Sequence, residues 1–263
     1  MRVISDMTER VKEREAGVKA ITLDAKGVYY RDLNENIREL IDRGYQEIVL
    51  DGVNGQRYIG DGLDEKVTIV INGVPGNDLG AFMNGPTIIV NDNAQDVVGN
   101  TMNSGKIVVK GHAGDVIGYG MRGGRIFVTG DIGYRVGIHM KSFKDQVPVI
   151  VAGGRAGDFF GEYMAGGIMV LLGSGEGDSP LVGHYVGTGM HGGVIYIKGK
   201  VRDSQLGREV RLFPLEEEDR VLLEGLLEEF SQSTGTSARP VDPAEFIKLM
   251  PFSHRPYGNM YVY

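Results

Sequence analysis

Apolar residues in the middle of the chain alternate with polar or small ones in short bursts, and the bursts recur at a fixed interval. Counting five residues on from Met83, Met102, Met121, Met164 and Met190 gives Ile88, Ile107, Ile126, Met169 and Ile195. Counting seven gives Val90, Val109, Val128, Leu171 and Ile197. A two-residue alternation puts both sets on one face of a strand, so the pattern predicts stacked short strands with two shared apolar ladders. Met83, Met102, Met121 and Met140 lie 19 residues apart, and Met164 and Met190 follow after 24 and 26. Glycine keeps the same beat as G-x-x-G-x-x-x-G at Gly73/Gly76/Gly80, Gly111/Gly114/Gly118, Gly130/Gly133/Gly137 and Gly154/Gly157/Gly161.

A short fixed period marks a solenoid, whose single coil cannot bury its own apolar face. Nineteen residues are too few for a helical crossover between strands, which needs about 30. The prediction is therefore an all-β solenoid, a parallel β-helix with about 19 residues per coil and glycine at its corners. Six or seven coils at roughly 4.8 Å spacing make a rod on the order of 30 Å long. Insertions within Lys141 to Pro148 and around Ser174 to Val182 lengthen two coils and are expected as surface loops.

The repeat spans about residues 58–200. Residues 1–57 read as a small α/β cap on the first coil. Glu9 to Glu15 is charged, a solvated helix or a loose end. Ile21 to Leu23 suits a short strand, and Leu33, Ile37, Leu40 and Ile41 a helix with Asp32 to cap and Gly44 to stop it. Gln46 to Asp51 suits a strand ending in an Asn54-Gly55 turn. Residues 201–263 read as a helical segment, with an amphipathic helix over Leu215 to Phe230 and a shorter one over Pro243 to Met250. The aromatic tail from Pro256 to Tyr263 is a candidate to dock on this rod or on another subunit.

Composition sharpens this picture. The chain has 41 glycines at 41% hydrophobic content, which is turn-dense but able to build a core. Its net charge of −7 disfavours nucleic acid or an anionic membrane as a general partner. No stretch approaches the roughly 20 apolar residues that span a bilayer, and the amino terminus lacks an apolar signal core, so a cytoplasmic location is expected. There is no cysteine, which excludes disulfides, thiolate chemistry and cysteine-ligated iron–sulfur clusters on this chain.

Several motifs resemble sites. Gly118-Tyr-Gly120-Met-Arg-Gly123 and Gly187-Thr-Gly189-Met-His-Gly192 both spell G-x-G-x-x-G, but a β-type run follows each, where a dinucleotide site needs a helix. Gly173-Ser-Gly175-Glu-Gly177 lacks the Lys-Ser/Thr ending of a phosphate loop. His112, His139, His184, His191 and His254 show no metal-ligand spacing. Asp96, Asp115 and Asp158 form a column that could hold calcium or serve as an acid–base pair on a sugar. Asn77 and Tyr134 interrupt that column, and an aspartate after glycine commonly bonds nearby backbone N–H groups. The structural reading is preferred throughout: no catalytic, cofactor-binding or metal residues are assigned.

The coils Val98-Gly-Asn-Thr-Met-Asn-Ser-Gly-Lys-Ile-Val-Val and Ile117-Gly-Tyr-Gly-Met-Arg-Gly-Gly-Arg-Ile-Phe-Val resemble the carboxy-terminal GXGXG β-helix domain of the glutamate synthase large subunit. Asn54-Gly-Gln-Arg-Tyr-Ile-Gly-Asp-Gly-Leu and Phe213-Pro-Leu-Glu-Glu-Glu-Asp look like its free-standing archaeal and bacterial form. The resemblance implies a right-handed helix and a structural role beside a glutaminase and an FMN synthase subunit. FMN and an iron–sulfur cluster would sit on the partner. The alternatives are a scaffold subunit of a formylmethanofuran dehydrogenase-like complex, or a free-standing β-helix lyase or hydrolase.

Overall fold

The computed structural model describes residues 9–13, 18–173, 180–236, 242 and 245–252. Both predicted ladders are present, and they run further than the repeat suggested. One inward column joins Ile21, Ile48, Ile69, Ile88, Ile107, Ile126, Ile150, Met169 and Ile195 across successive strands. Two residues on, Leu23, Leu50, Ile71, Val90, Val109, Val128, Ala152, Leu171 and Ile197 form the second. All eighteen side chains are buried, as are the six spaced methionines Met83 to Met190. The molecule is thus a parallel β-helix whose interior is filled by stacked rungs of like residues.

The strands are β1 (Glu9–Glu13), β2 (Lys19–Asp24), β3 (Glu47–Asn54), β4 (Thr68–Val74), β5 (Asn84–Val90), β6 (Ser104–Val109), β7 (Arg125–Val128), β8 (Val149–Ala152), β9 (Ala165–Leu171), β10 (Gly192–Lys198), β11 (Val210–Phe213) and β12 (Phe246–Pro251). They form one sheet, parallel from β2 to β10, with β1 and then β12–β11 added antiparallel at the two ends. On another face, isolated bridges link Ala94, Ala113, Ile132, Ala156 and Val182, one residue per coil.

The cap continues the stack. β2 and β3 carry the same rungs, but helix α1 (Tyr30–Asp42) joins them in place of a glycine-cornered coil. Leu33, Ile37 and Leu40 are the buried stripe of α1. Gly44 follows at φ +82°, while Asp32 sits in the first turn and Tyr29 takes the cap position without a side-chain bond. Glu9 to Glu13, expected as helix or loose end, is strand β1 on the outer edge of β2.

The carboxy-terminal segment departs from expectation. The helix predicted over Pro243 to Met250 is instead strand β12, with Ile247 opposite Ile197 and Leu249 opposite Ile195. A short apolar run fits helix or strand equally, and the open edge of β10 decides for strand because an uncovered edge leaves backbone groups unpaired. The long helix is present as α2 (Glu217–Thr234), closed by Gly235 at φ +78°.

Helix α2 lies across the outside of the sheet. Its Leu223, Leu226 and Phe230 pack on the outward-facing Val108, Phe127, Val151, Val170 and Tyr196 to make a second core. At one end Glu229 binds Lys106 Nζ at 2.8 Å and Arg125 Nε at 2.6 Å. At the other, Asp219 receives hydrogen bonds from Tyr196 Oη at 2.5 Å, Lys248 Nζ at 2.7 Å and the Glu216 N–H at 2.8 Å. Burial alone raises the pKa of each carboxyl, but the donors around them outweigh it, and both Asp219 and Glu229 are held below the usual carboxylate range. Burial and the Asp219 carboxylate together push the Tyr196 phenol well above its ordinary value.

Candidate functional site

Each coil turns a corner through a column of residues in the left-handed region. In one column stand Tyr58, Asp78, Val97, Val116, Arg135, Phe159 and Tyr185, with φ between +55° and +64°. Four residues further along each coil, a second column runs Gly62, Phe82, Thr101, Gly120, His139, Tyr163 and Gly189, again at positive φ. The side chains of both columns point outward, so the corner displays two stacks. In the first, Arg135 lies over the Phe159 ring at 4.5 Å and pairs with the buried Glu162, and Phe159 stacks on Tyr185 at 5.0 Å. In the second, His139 stacks on Tyr163 at 5.3 Å, and Tyr119 meets its edge at 5.9 Å.

Beside the second stack is a cavity of about 340 Å³, walled by Thr101, Tyr119, Arg122, His139, Lys141 and Tyr163 and open over Gly120. It exists because position 120 is glycine where neighbouring coils carry threonine and histidine. Arg122 and Lys141 occupy one column on successive coils, their N–H groups bonding the carbonyls of Met102 and Met121. Part of a motif does mark this cavity: Tyr119, Gly120 and Arg122 all belong to Gly118–Gly123, the first G-x-G-x-x-G. The other signal is the break in residue size two places after each corner glycine.

Both G-x-G-x-x-G motifs fall on this corner, and each leads into a strand, β7 or β10. A pyrophosphate at either would meet no helix amino terminus. The aspartate column ties coil to coil. Asp96 Oδ1 accepts the Asp115 N–H at 2.9 Å, Asp115 Oδ1 the Tyr134 N–H at 2.8 Å, and Asp158 Oδ1 the His184 N–H at 2.7 Å. A neighbouring column works alike, with Asn93 Oδ1 accepting from His112, His112 Nδ1 from Asp131, and Asp131 Oδ1 from Arg155.

We expect Asp115→Ala to lose about 1 kcal/mol of stability, the typical value of one such bond, and Asp115→Asn, which keeps the acceptor, to lose a few tenths at most. Urea unfolding checks both values: equal losses in the two variants would show that the carboxylate charge, and not the accepted hydrogen bond, is what this position contributes.

The histidines are dispersed: His112 serves the ladder, His139 and His191 face the cavity, and His184 lies against Tyr185. His254, like Gly175 and Gly177 of the glycine-rich loop, lies outside the described residues. Among the described residues no three His, Asp or Glu side chains gather as metal ligands, and no helix is long and apolar enough to cross a membrane.

Repeated glycine corners, like-on-like rungs and side chains that tie one coil's turn to the next define the class: a parallel β-helix built on the G-x-G-x-x-G corner. The chain belongs to the GXGXG motif family, whose model matches residues 33–244. It is 46% identical over 254 residues to an uncharacterized protein of Methanocaldococcus jannaschii, an alignment covering 93% of this chain and 97% of that one. This agrees with the resemblance to the carboxy-terminal β-helix module of glutamate synthase.

Proposed function

We propose that the chain is a non-catalytic structural subunit of a glutamate synthase-type complex, bracing a glutaminase subunit against an FMN synthase subunit. FMN and an iron–sulfur cluster belong to the partner in this reading, and the complex as a whole, not this chain, is the oxidoreductase of nitrogen metabolism. The observation that carries it is the employment of the corner carboxylates: Asp96, Asp115 and Asp158 each hold a backbone N–H of the next coil. Groups fixed in that way make a stiff rod, and stiffness is what a brace contributes. Two sites that must pass ammonia between them lose efficiency when either shifts by about an ångström.

The test is affinity capture of the tagged full-length chain from its own organism. The expected result is recovery of an amidotransferase and a flavoprotein in near-equal amounts with the bait. Recovery of neither, or of molybdopterin and amidohydrolase subunits instead, overturns the proposal.

A further inference from the structure

We propose that the cavity over Gly120 binds a small organic anion carrying a flat ring, with its phosphate or carboxylate between Arg122 and Lys141 and its ring against Tyr119 and the His139–Tyr163 stack. The inference goes beyond the bracing role and does not depend on it.

Charge is the first argument. Arg122 and Lys141 sit one above the other on adjacent coils, and like charges directly opposite each other in a ladder repel. Neither has an ion-pair partner among the described residues. Several other cations on the fold are matched by a carboxylate, Arg125 and Lys106 by Glu229, Arg135 by Glu162, Lys198 by Glu245 and Lys248 by Asp219, and others, such as Lys19, Arg57 and Arg211, lie over an aromatic ring. In a chain with 35 acidic and 28 basic residues, a half-buried arginine stacked with an exposed lysine, with no carboxylate paired to either among the described residues, suits an external anion. A guanidinium fork suits a phosphate or carboxylate, and the ammonium adds a second point of charge.

Shape and surface are the second. About 340 Å³ falls at the small end of ligand pockets. The ring of His139 lies only 10° from parallel to that of Tyr163, and Tyr119 stands edge-on at 90° to His139. A planar group entering over Gly120 extends the same stack.

Gly120 also supplies the sharpest test. Its backbone is at φ +58°, close to the +51° of Thr101 and the +57° of His139 in the same column. A Cβ there would meet nothing nearer than Thr101 Oγ1 at 3.6 Å. Gly120→Asn therefore fills the cavity while keeping a backbone that the neighbouring coils already adopt. The experiment is calorimetric titration of the purified chain with phenyl phosphate, using inorganic phosphate and phenol as the charge-only and ring-only controls.

Phenyl phosphate is expected to bind saturably with Kd about 1 mM or tighter, at least tenfold more tightly than either control. Gly120→Asn and Arg122→Gln are each expected to weaken it tenfold or more while the chain stays folded with at most a small drop in unfolding midpoint, asparagine being the side chain that best tolerates left-handed backbone, and Asp115→Asn leaves binding unchanged. Absence of saturable binding at about 10 mM phenyl phosphate overturns the proposal. So does binding that neither Gly120→Asn nor Arg122→Gln alters. Capture of partner subunits is a separate readout, so failure here leaves the bracing role standing, and the reverse also holds.

Discussion

Gly124→Ala is expected to destabilise the chain by about 3–4 kcal/mol, while Gly120→Ala, four residues earlier on the same corner, costs about 1 kcal/mol. Both glycines have positive φ, +80° and +58°, so strain of the left-handed backbone is common to both substitutions. The difference is what surrounds the new methyl group. At Gly120 it faces the open cavity. At Gly124 it lies 2.8 Å from the carbonyl oxygen of Gly105 and 3.1 Å from the carbonyl carbon of Ser104, backbone atoms of the adjacent coil. Coil spacing is fixed by the hydrogen-bond ladder, so those atoms cannot retreat without breaking rungs on both sides. Equilibrium unfolding of the two variants side by side checks this, and equal losses would show that conformational strain alone governs these corners.

The same contrast explains how much was legible in the sequence. The periodic glycines disclosed the coil because, at the corner positions, any side chain meets the next coil or the core. Gly118, for instance, would place a Cβ 2.5 Å from Ile150 Cδ1. Yet left-handed backbone does not itself demand glycine here, since Val97, Val116 and Phe159 adopt it with outward side chains. Those columns have no fixed residue type and left no periodic mark, so the cavity beside them was not legible as a site, even though Tyr119, Gly120 and Arg122 of the first G-x-G-x-x-G motif line it. Tertiary pairing decided the ends of the chain. Residues 246–251 became a strand because β10 needed covering, and β2 and β3 joined the ladder although α1, not a glycine corner, connects them. That Asp96, Asp115 and Asp158 accept backbone N–H bonds was legible as turn chemistry, but the partners were not: each bond reaches the next coil, 19 or 26 residues on, where a bond within its own turn was expected. The outward column Val108, Phe127, Val151, Val170 and Tyr196 was a missed signal, because apolar residues on both faces of a strand call for a cover on each.

Asp219→Ala is expected to cost about 3–5 kcal/mol, the range for breaking a buried ion pair by removing one partner, and to loosen α2 from the sheet. The side chains of Asp219 and Lys248 are only 10% and 13% exposed. Without the carboxylate, the ammonium of Lys248 and the hydroxyl of Tyr196 lose their shared acceptor in a poorly solvated site, and the Glu216 N–H loses its cap. Asp219→Asn keeps an acceptor for Tyr196 and loses less; Tyr196→Phe removes one donor and costs about 1 kcal/mol. The helical part of the circular dichroism should melt ahead of the β-helix in the alanine variant, since the rod's inner core does not touch Asp219. An unchanged midpoint with one concerted transition would refute the assignment.

The pH dependence has a sign on each side. Asp219 and Glu229 are depressed in the folded chain, so their contribution is complete above the unfolded carboxylate values of about 4 and is lost as pH falls through the lower folded values. Tyr196 is raised, so its contribution is complete below about pH 10 and fades as pH climbs toward the folded value. Docking of α2 is therefore firmest across the neutral range. In Asp219→Ala the acid-side loss should shrink to the share due to Glu229, which a comparison of the two acid-unfolding curves measures directly.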